Sequence, residues 1–121
     1  MVAVVKSVAL TGFDGSLIEV ETDSKAGLPG MQIVGMGNKA IDEARERVRS
    51  AISNSLLDFP ARKLVVNLAP AELPKDGTQF DVPIALSILV ASRALKQKEV
   101  DGCMFAGELA LDGALRSLRD T

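Results

Sequence analysis

The chain has 121 residues, the size of one ordinary domain. Its 47% hydrophobic and 25% charged content fits a globular protein with a core of its own. Aromatics are only 3%, with no Trp or Tyr, so the core falls to Val, Leu, Ile and Ala, and the composition argues against stacking platforms for single-stranded nucleic acid.

A net charge of −2 and a pI of about 5.1 lack the basic excess of a dedicated DNA-binding module, leaving room only for a local basic patch. Without histidine there is no Ser-His-Asp or Cys-His mechanism, and zinc would need carboxylates alone. The single Cys103 cannot form an internal disulfide, which fits a reducing, cytoplasmic setting. Within Cys103-Met104-Phe105-Ala106 it reads as a small buried hydrophobe. The amino terminus lacks the basic start and apolar stretch of a signal peptide. The longest apolar run, around 82–91, falls short of the ~20 residues of a membrane helix.

Val-rich residues 3–10 predict a strand, and residues 11–15 a turn with Gly12, Asp14 and Gly15. Residues 16–22 alternate, with Leu17, Glu19 and Glu21 on one side and Ile18, Val20 and Thr22 on the other. This predicts a strand with one wet face, paired to the first as a hairpin. Residues 25–30 hold Gly27, Pro29 and Gly30 and read as a loop, and 31–34 as a short strand. A helix should begin at Asn38 as N-cap, with Asp42 and Glu43 in its early turns, and run on towards Pro60. Ile41, Ala44, Val48, Ala51, Ile52 and Ser55 form its apolar stripe.

Residues 63–68 predict a buried strand and 69–77 a loop punctuated by Pro70, Pro74 and Gly77. A second helix is expected over about 80–95, with Asp81 as N-cap and Pro83 in the first turn. It is apolar on nearly every side, which places it in the middle of the fold. Residues 96–101 read as a charged turn, 103–109 as a strand, Asp112-Gly113 as a tight turn and 114–118 as a last strand. The order βββαβαββ describes an α+β fold with a mixed sheet and two helices on one face. A final strand with no element after it reads as a piece of a longer protein.

Several stretches carry candidate chemistry. Gly35-Met36-Gly37-Asn38-Lys39-Ala40 matches G-x-G-x-x-A between a strand and a helix, where backbone N–H groups could cradle a pyrophosphate. Asp58 is at about the right remove for a ribose but precedes the next strand, so the competing reading is a loop whose glycines only let the backbone turn. No Walker A motif is present, since the only Lys-Ser pair is Lys6-Ser7 in a strand. The charges from Asp42 to Arg49 alternate in sign and read first as a solvated face with pairs such as Glu43–Arg47, and second as an arginine surface for phosphate or a partner. In the loop before the second helix, Lys75, Asp76 and Thr78 could form a site, while Asp76-Gly77 could equally be a turn and Thr78 or Asp81 a cap.

That loop also carries a resemblance. Asn67-Leu68-Ala69-Pro70-Ala71-Glu72-Leu73-Pro74-Lys75-Asp76-Gly77, followed by Phe80-Asp81-Val82-Pro83-Ile84-Ala85-Leu86, resembles the signature of the magnesium-chelatase-like ComM/YifB family. So do Gly27-Leu28-Pro29-Gly30, Ile33-Val34-Gly35, Glu43-Ala44-Arg45-Glu46-Arg47-Val48 and Gly107-Glu108-Leu109-Ala110-Leu111. The likeness covers essentially the whole chain. It implies a Lon-protease-like domain, a fold shared with a ribosomal protein's second domain, ahead of an AAA+ module that uses ATP and magnesium. It further implies hexameric helicases that drive branch migration in natural transformation and recombination.

Lon proteases use a Ser-Lys dyad, with the serine in Pro-Lys-Asp-Gly-Pro-Ser-Ala-Gly. Here Pro74-Lys75-Asp76-Gly77 matches, but Thr78 stands at the proline and Gln79 at the serine, and the dyad lysine would fall near or beyond Thr121. A carboxamide cannot form an acyl-enzyme. The resemblance therefore implies a retained scaffold that has lost proteolysis, an accessory domain without metal or cofactor of its own. A peptidase working at residues 75–78 and a small nucleotide binder at 35–40 are the competing readings. Arg45, Arg47, Arg49, Arg62, Lys63, Arg116 and Arg119 are the candidates for contact with branched DNA or a partner.

Overall fold

The computed structural model describes residues 2–11, 14–73, 75 and 77–116. Strands β1 (Val2–Thr11) and β2 (Asp14–Lys25) form a long antiparallel hairpin, with Val5 opposite Val20. Strand β3 (Gly30–Val34) and helix α1 (Asn38–Ser53) follow, then β4 (Lys63–Ala69), which pairs antiparallel with β2 and parallel with β3. The mixed sheet has the order β1-β2-β4-β3. A short 3-10 turn, Thr78–Phe80, leads into α2 (Asp81–Ala91), the one-turn helix α3 (Gln97–Val100) and the two-residue strands β5 (Glu108–Leu109) and β6 (Leu115–Arg116), which pair with each other. The fold is α+β with the expected mixed sheet.

Alternation decides which face is covered. Ile18, Val20 and Thr22 of β2, Leu64, Val66 and Leu68 of β4, and Met31 and Ile33 of β3 are all buried on the side of the helices. The stripe Ala44, Val48, Ala51 and Ile52 of α1 joins them in one cluster with Phe80, Ile84 and Ile88. Each fully buried Ile or Leu contributes about 1.5–3 kcal/mol. No residue of α2 is exposed, as its all-round apolar sequence requires. The Thr22 and Ser87 hydroxyls, both buried, satisfy each other at 2.6 Å. A second cluster, Ala3, Val5, Val90, Ala91 and Val100, closes the β1 side. There Gln97 grips the edge strand with its amide: Oε1 accepts from Val4 N–H at 3.0 Å and Nε2 donates to Val4 O at 2.7 Å.

Several expectations need correction. The N-cap of α1 is Gly37, and Asn38 is already helical with no side-chain cap, so no acidic residue falls in the first turn. The helix stops at Ser53, and Leu56 takes a positive φ of 63° in the turn that follows. The N-cap of α2 is Phe80, which leaves the Asp81 carboxylate for another task. That helix ends at Ala91 rather than near residue 95, because Arg93 turns left-handed with φ 69° and the N–H groups of Ala94 and Leu95 close on Leu89 O. Of the strand expected over 103–109, the paired part is β5 plus one bridge from Met104 to Lys6. Cys103 is exposed rather than buried, since this segment runs along the sheet edge instead of beneath it. The last expected strand is described only as β6, and residues 117–121 lie outside the described residues.

The α1 charges hold the largest surprise. Arg47 pairs with Asp81 of α2 in a bidentate fork, Nε to Oδ2 at 2.6 Å and Nη2 to Oδ1 at 3.1 Å, rather than with Glu43 along its own helix. Asp81 Oδ2 also accepts from Leu109 N–H at 3.2 Å, so one carboxylate joins α1, α2 and β5. The Asp81 side chain is fully buried and that of Arg47 is 20% exposed. Burial pushes the Asp81 carboxyl above its ordinary value, against the lowering pull of Arg47 and the Leu109 N–H. The hydrogen bond to Asp81 raises Arg47 in turn.

At the β3–α1 junction Gly35 has φ 100°, and a Cβ there would lie 2.4 Å from Leu68 O of β4. Backbone, not a movable side chain, blocks that position.

Two predictions follow from these contacts. Arg47→Met leaves a buried carboxylate unpaired and should lower the unfolding free energy by about 3–5 kcal/mol in urea titration. Gly35→Ala should cost about 1–3 kcal/mol from the strained φ, plus displacement of β4. The pair also sets a pH dependence. With Asp81 raised in the native state, the unfolded chain loses its proton first, so stability falls as pH rises from the ordinary carboxylate range through the raised native value. Relative to Asp81→Asn, which does not titrate, wild-type stability should fall across that interval and level off above it.

Candidate functional site

Two of the stretches singled out above meet in space. The G-x-G turn delivers the chain into α1, and the loop after β4 delivers it into α2. Because β3 and β4 are parallel neighbours, both turns emerge at the same end of the sheet. A cleft of about 400 Å³ there is lined by Gly37, Asn38, Lys39, Glu43, Arg47 and Thr78, among others. A second, of about 430 Å³, lies on the other side of the same turn between Gly35, Met36 and Gly37 and the loop residues Glu72, Leu73 and Lys75. Gly37, at the entry to α1, lines both hollows.

Lys75 is the most unusual residue in the loop. It is 1% exposed, and its Nζ donates to Pro70 O and Leu73 O, both at 2.5 Å. A lysine in Pro-Lys-Asp-Gly would ordinarily point to water. Here its ammonium gathers the carbonyls of the loop that carries it, next to the cis Ala69–Pro70 bond. The lysine thus holds the loop's shape, and its donors are aimed at carbonyl oxygens rather than at a hydroxyl.

Thr78 opens the 3-10 turn and lines the first cleft, half-buried. The N-cap of that turn is Gly77, so Thr78 is not its cap. Gln79 is half-buried and folds back over Gly77: a Cβ on that glycine would fall 1.8 Å from Gln79 Oε1. Its backbone O accepts from Gly107 N–H at 2.7 Å, and Val82 N–H donates to Gly107 O at 3.0 Å, which ties the start of α2 to the approach to β5. Asp76 lies outside the described residues.

The nucleotide reading finds only part of its geometry. Asn38, Lys39 and Ala40 of the first turn of α1 line a cleft, where a pyrophosphate would sit. Asp58 lines a different cleft, with Leu57, Arg62 and Leu89. The first glycine of the motif is explained by its approach to Leu68 O, without a ligand.

The arginines and lysine named from the sequence do not form one surface. Arg47 is committed to Asp81. Arg45 pairs with Asp42 at 3.3 Å and reaches Met31 O, and Arg49 stacks on the Phe59 ring at 4.8 Å. These two share a hollow with Asp42 and Glu46, so its charge is balanced. Arg62 and Lys63 stand together at the start of β4, exposed. The Arg116 side chain and all of Arg119 lie outside the described residues. Sequence reasoning missed the buried Lys75 and the Asp81 fork. The only signal for either was a charged residue beside an apolar run.

Among the described residues no group of three or more His, Cys, Asp or Glu side chains could hold a metal ion, and no helix is long and apolar enough to cross a membrane.

The family model for subunit ChlI of Mg-chelatase matches residues 20–121. YifB of Escherichia coli is 46% identical over 116 residues, 96% of this chain. Competence protein ComM of Haemophilus influenzae is 44% identical over the same length, and the protein Mb2921c of Mycobacterium bovis is 39% identical over 113 residues, 93% of this chain. The chain spans only 22–23% of the length of these relatives. The match runs through β2, the G-x-G turn, the Lys75 loop and α2 alike, and on it the chain belongs to the magnesium-chelatase-like family of YifB and ComM.

Proposed function

We propose that this chain is a non-catalytic accessory domain of a longer, cytoplasmic magnesium-chelatase-like protein. Its place is ahead of an AAA+ module that binds ATP and magnesium. The whole protein then acts as a homo-hexameric motor on branched DNA during transformation or recombination, in keeping with the competence protein among its relatives. This domain contributes assembly, DNA contact or partner contact, and has no cofactor of its own.

The observation that carries the reading is the chemistry of the loop before α2. Gln79 occupies the position of the attacking serine in the Lon pattern, and a carboxamide cannot serve. Lys75 Nζ is held by two carbonyl oxygens and is not aimed at Thr78. A threonine nucleophile needs a base within about 3 Å to take its proton. What remains is a loop braced by its own lysine, at the base of a cleft beside α1.

The test is a cleavage assay on casein and a panel of unstructured peptides, with ATP hydrolysis measured in parallel. The chain and its Thr78→Ala variant should be indistinguishable from buffer in both. Cleavage that disappears with Thr78→Ala would establish a hydrolase and end the accessory reading.

A further inference from the structure

Strand β3 ends its side of the sheet, hydrogen-bonded to β4 alone. Gly30 N–H donates to Arg62 O at 3.2 Å, so Gly30 turns its backbone groups towards β4. Alternation turns those of Met31 and Ile33 the other way, and there Arg45 Nη1 reaches Met31 O at 3.4 Å. A hydrogen bond of that length is weak. The free side of β3 therefore presents the backbone groups of Met31 and Ile33, and no proline stands among its five residues to block a further strand.

The flank of α1 beside this edge carries its charges in a particular order. Asp42, Arg45, Glu46 and Arg49 line one hollow with Gly30 and Met31, and all four are exposed. Their signs run negative, positive, negative, positive. Turned end for end, the row meets its own complement: Asp42 falls against Arg49, and Arg45 against Glu46. The midpoint of the row lies between Arg45 and Glu46, and Arg45 reaches across to Met31, beside the midpoint of β3 at Gln32. One two-fold axis through Gln32 thus serves strand and helix together. The bonds these side chains make within the chain are weak competitors, an exposed Asp42–Arg45 pair at 3.3 Å and an exposed bond from Ser50 Oγ to Glu46 Oε1 at 3.4 Å. Arg49 lies over the Phe59 ring, which holds its guanidinium without neutralising it. Solvation of a helix face accounts for mixed charges, but it sets no order among them.

We propose that β3 and α1 form a two-fold interface between two copies of this chain, in which the β3 strands pair antiparallel and the charged rows of the α1 helices pair across the axis. Met31 of each copy exchanges both backbone hydrogen bonds with Ile33 of the other, and Gln32 meets Gln32 on the axis. Arg45 yields Met31 O to the incoming N–H and turns to Glu46 of the second copy. The sheet then runs unbroken from one copy into the other. A partner of a single charge sign would meet like charges along half of the row, which selects a second copy over an acidic or a basic partner. This goes beyond the accessory reading and does not rest on it. A two-fold contact closes on itself, whereas a ring of subunits needs one that repeats head to tail.

The experiment is sedimentation equilibrium of the whole chain up to about 1 mM, with amide hydrogen exchange read by NMR at both ends of the concentration range. The chain should dimerise, and the Met31 and Ile33 amides should gain protection with concentration while that of Gly30, already bonded to Arg62 O, changes little. Arg45→Glu and Glu46→Arg each set like charges against each other on both sides of the axis, and each should weaken the dimer about tenfold. The double variant Arg45→Glu/Glu46→Arg restores a self-complementary row and should recover the dimer. An equimolar mixture of the two single variants should recover it too, as a heterodimer, which a role confined to one chain would not give. A chain monomeric at every concentration, a dimer that leaves Met31 and Ile33 unprotected, or a double variant as weak as the single ones would overturn the proposal. So would protection of the same amides by an added unstructured peptide while the chain stays monomeric, which would assign the edge to a foreign strand.

Discussion

One ion pair ties α1, α2 and β5 together. Asp81 is sealed from solvent at the first turn of α2, and the fork from Arg47 and the N–H of Leu109 converge on it. Its position also lets it meet the positive end of the α2 dipole. A carboxylate taken fully out of water is costly unless its oxygens are occupied, and here three donors occupy them. The geometry is demanding, and so it fixes the distance between α1 and α2 and docks the β5–β6 ribbon on both. The cleft beside the first turn of α1 inherits its width from this fork, since Arg47 lines it and Thr78 lies three residues ahead of Asp81.

The loop before α2 is equally well braced, though to a different end. Lys75 is buried on the carbonyls of Pro70 and Leu73, Gln79 packs over Gly77, and Gly107 is bonded to both Gln79 and Val82. Lys75 thereby serves the loop's shape, its ammonium taken up by the two carbonyls. The G-x-G turn belongs to the same picture, because Gly35 is required by its closeness to Leu68 O whether or not an anion visits the helix start.

Much of this was legible in the residues. The alternation through 17–22 gave the wet and dry faces of β2, the three-and-four spacing gave the buried stripe of α1, and the uniformly apolar α2 had nowhere to go but the middle. What stayed hidden involves partners distant in sequence. Arg47 has Glu43 within easy reach along its own helix, and nothing local signals that it turns instead to an aspartate 34 positions away. Asp81 sits where an N-cap is expected, so its local role masked the tertiary one. The apolar run around Cys103 has the pattern of a core strand, and nothing local marks it otherwise. It is in fact a margin strip, of which Met104 and Phe105 touch β1 through Lys6 and the rest faces outward. Lys75 was placed in the right loop, but lysine burial follows from carbonyls that only the folded loop brings together.

The hold of Gln97 on Val4 has a consequence for how the sheet meets its surroundings. An unpaired outer strand offers a row of donors and acceptors to any extended chain that drifts past. By matching one N–H and one C=O of β1 with a single carboxamide, and by laying Phe105 N–H on Lys6 O a little further along, the chain imitates a neighbouring strand with a side chain and a short strip. At Val4 and Lys6 that rim is already taken. Among the described residues the opposite rim, β3, carries no such imitation, only the long reach of Arg45 to Met31 O. The sheet is therefore one-sided in its capacity to be extended.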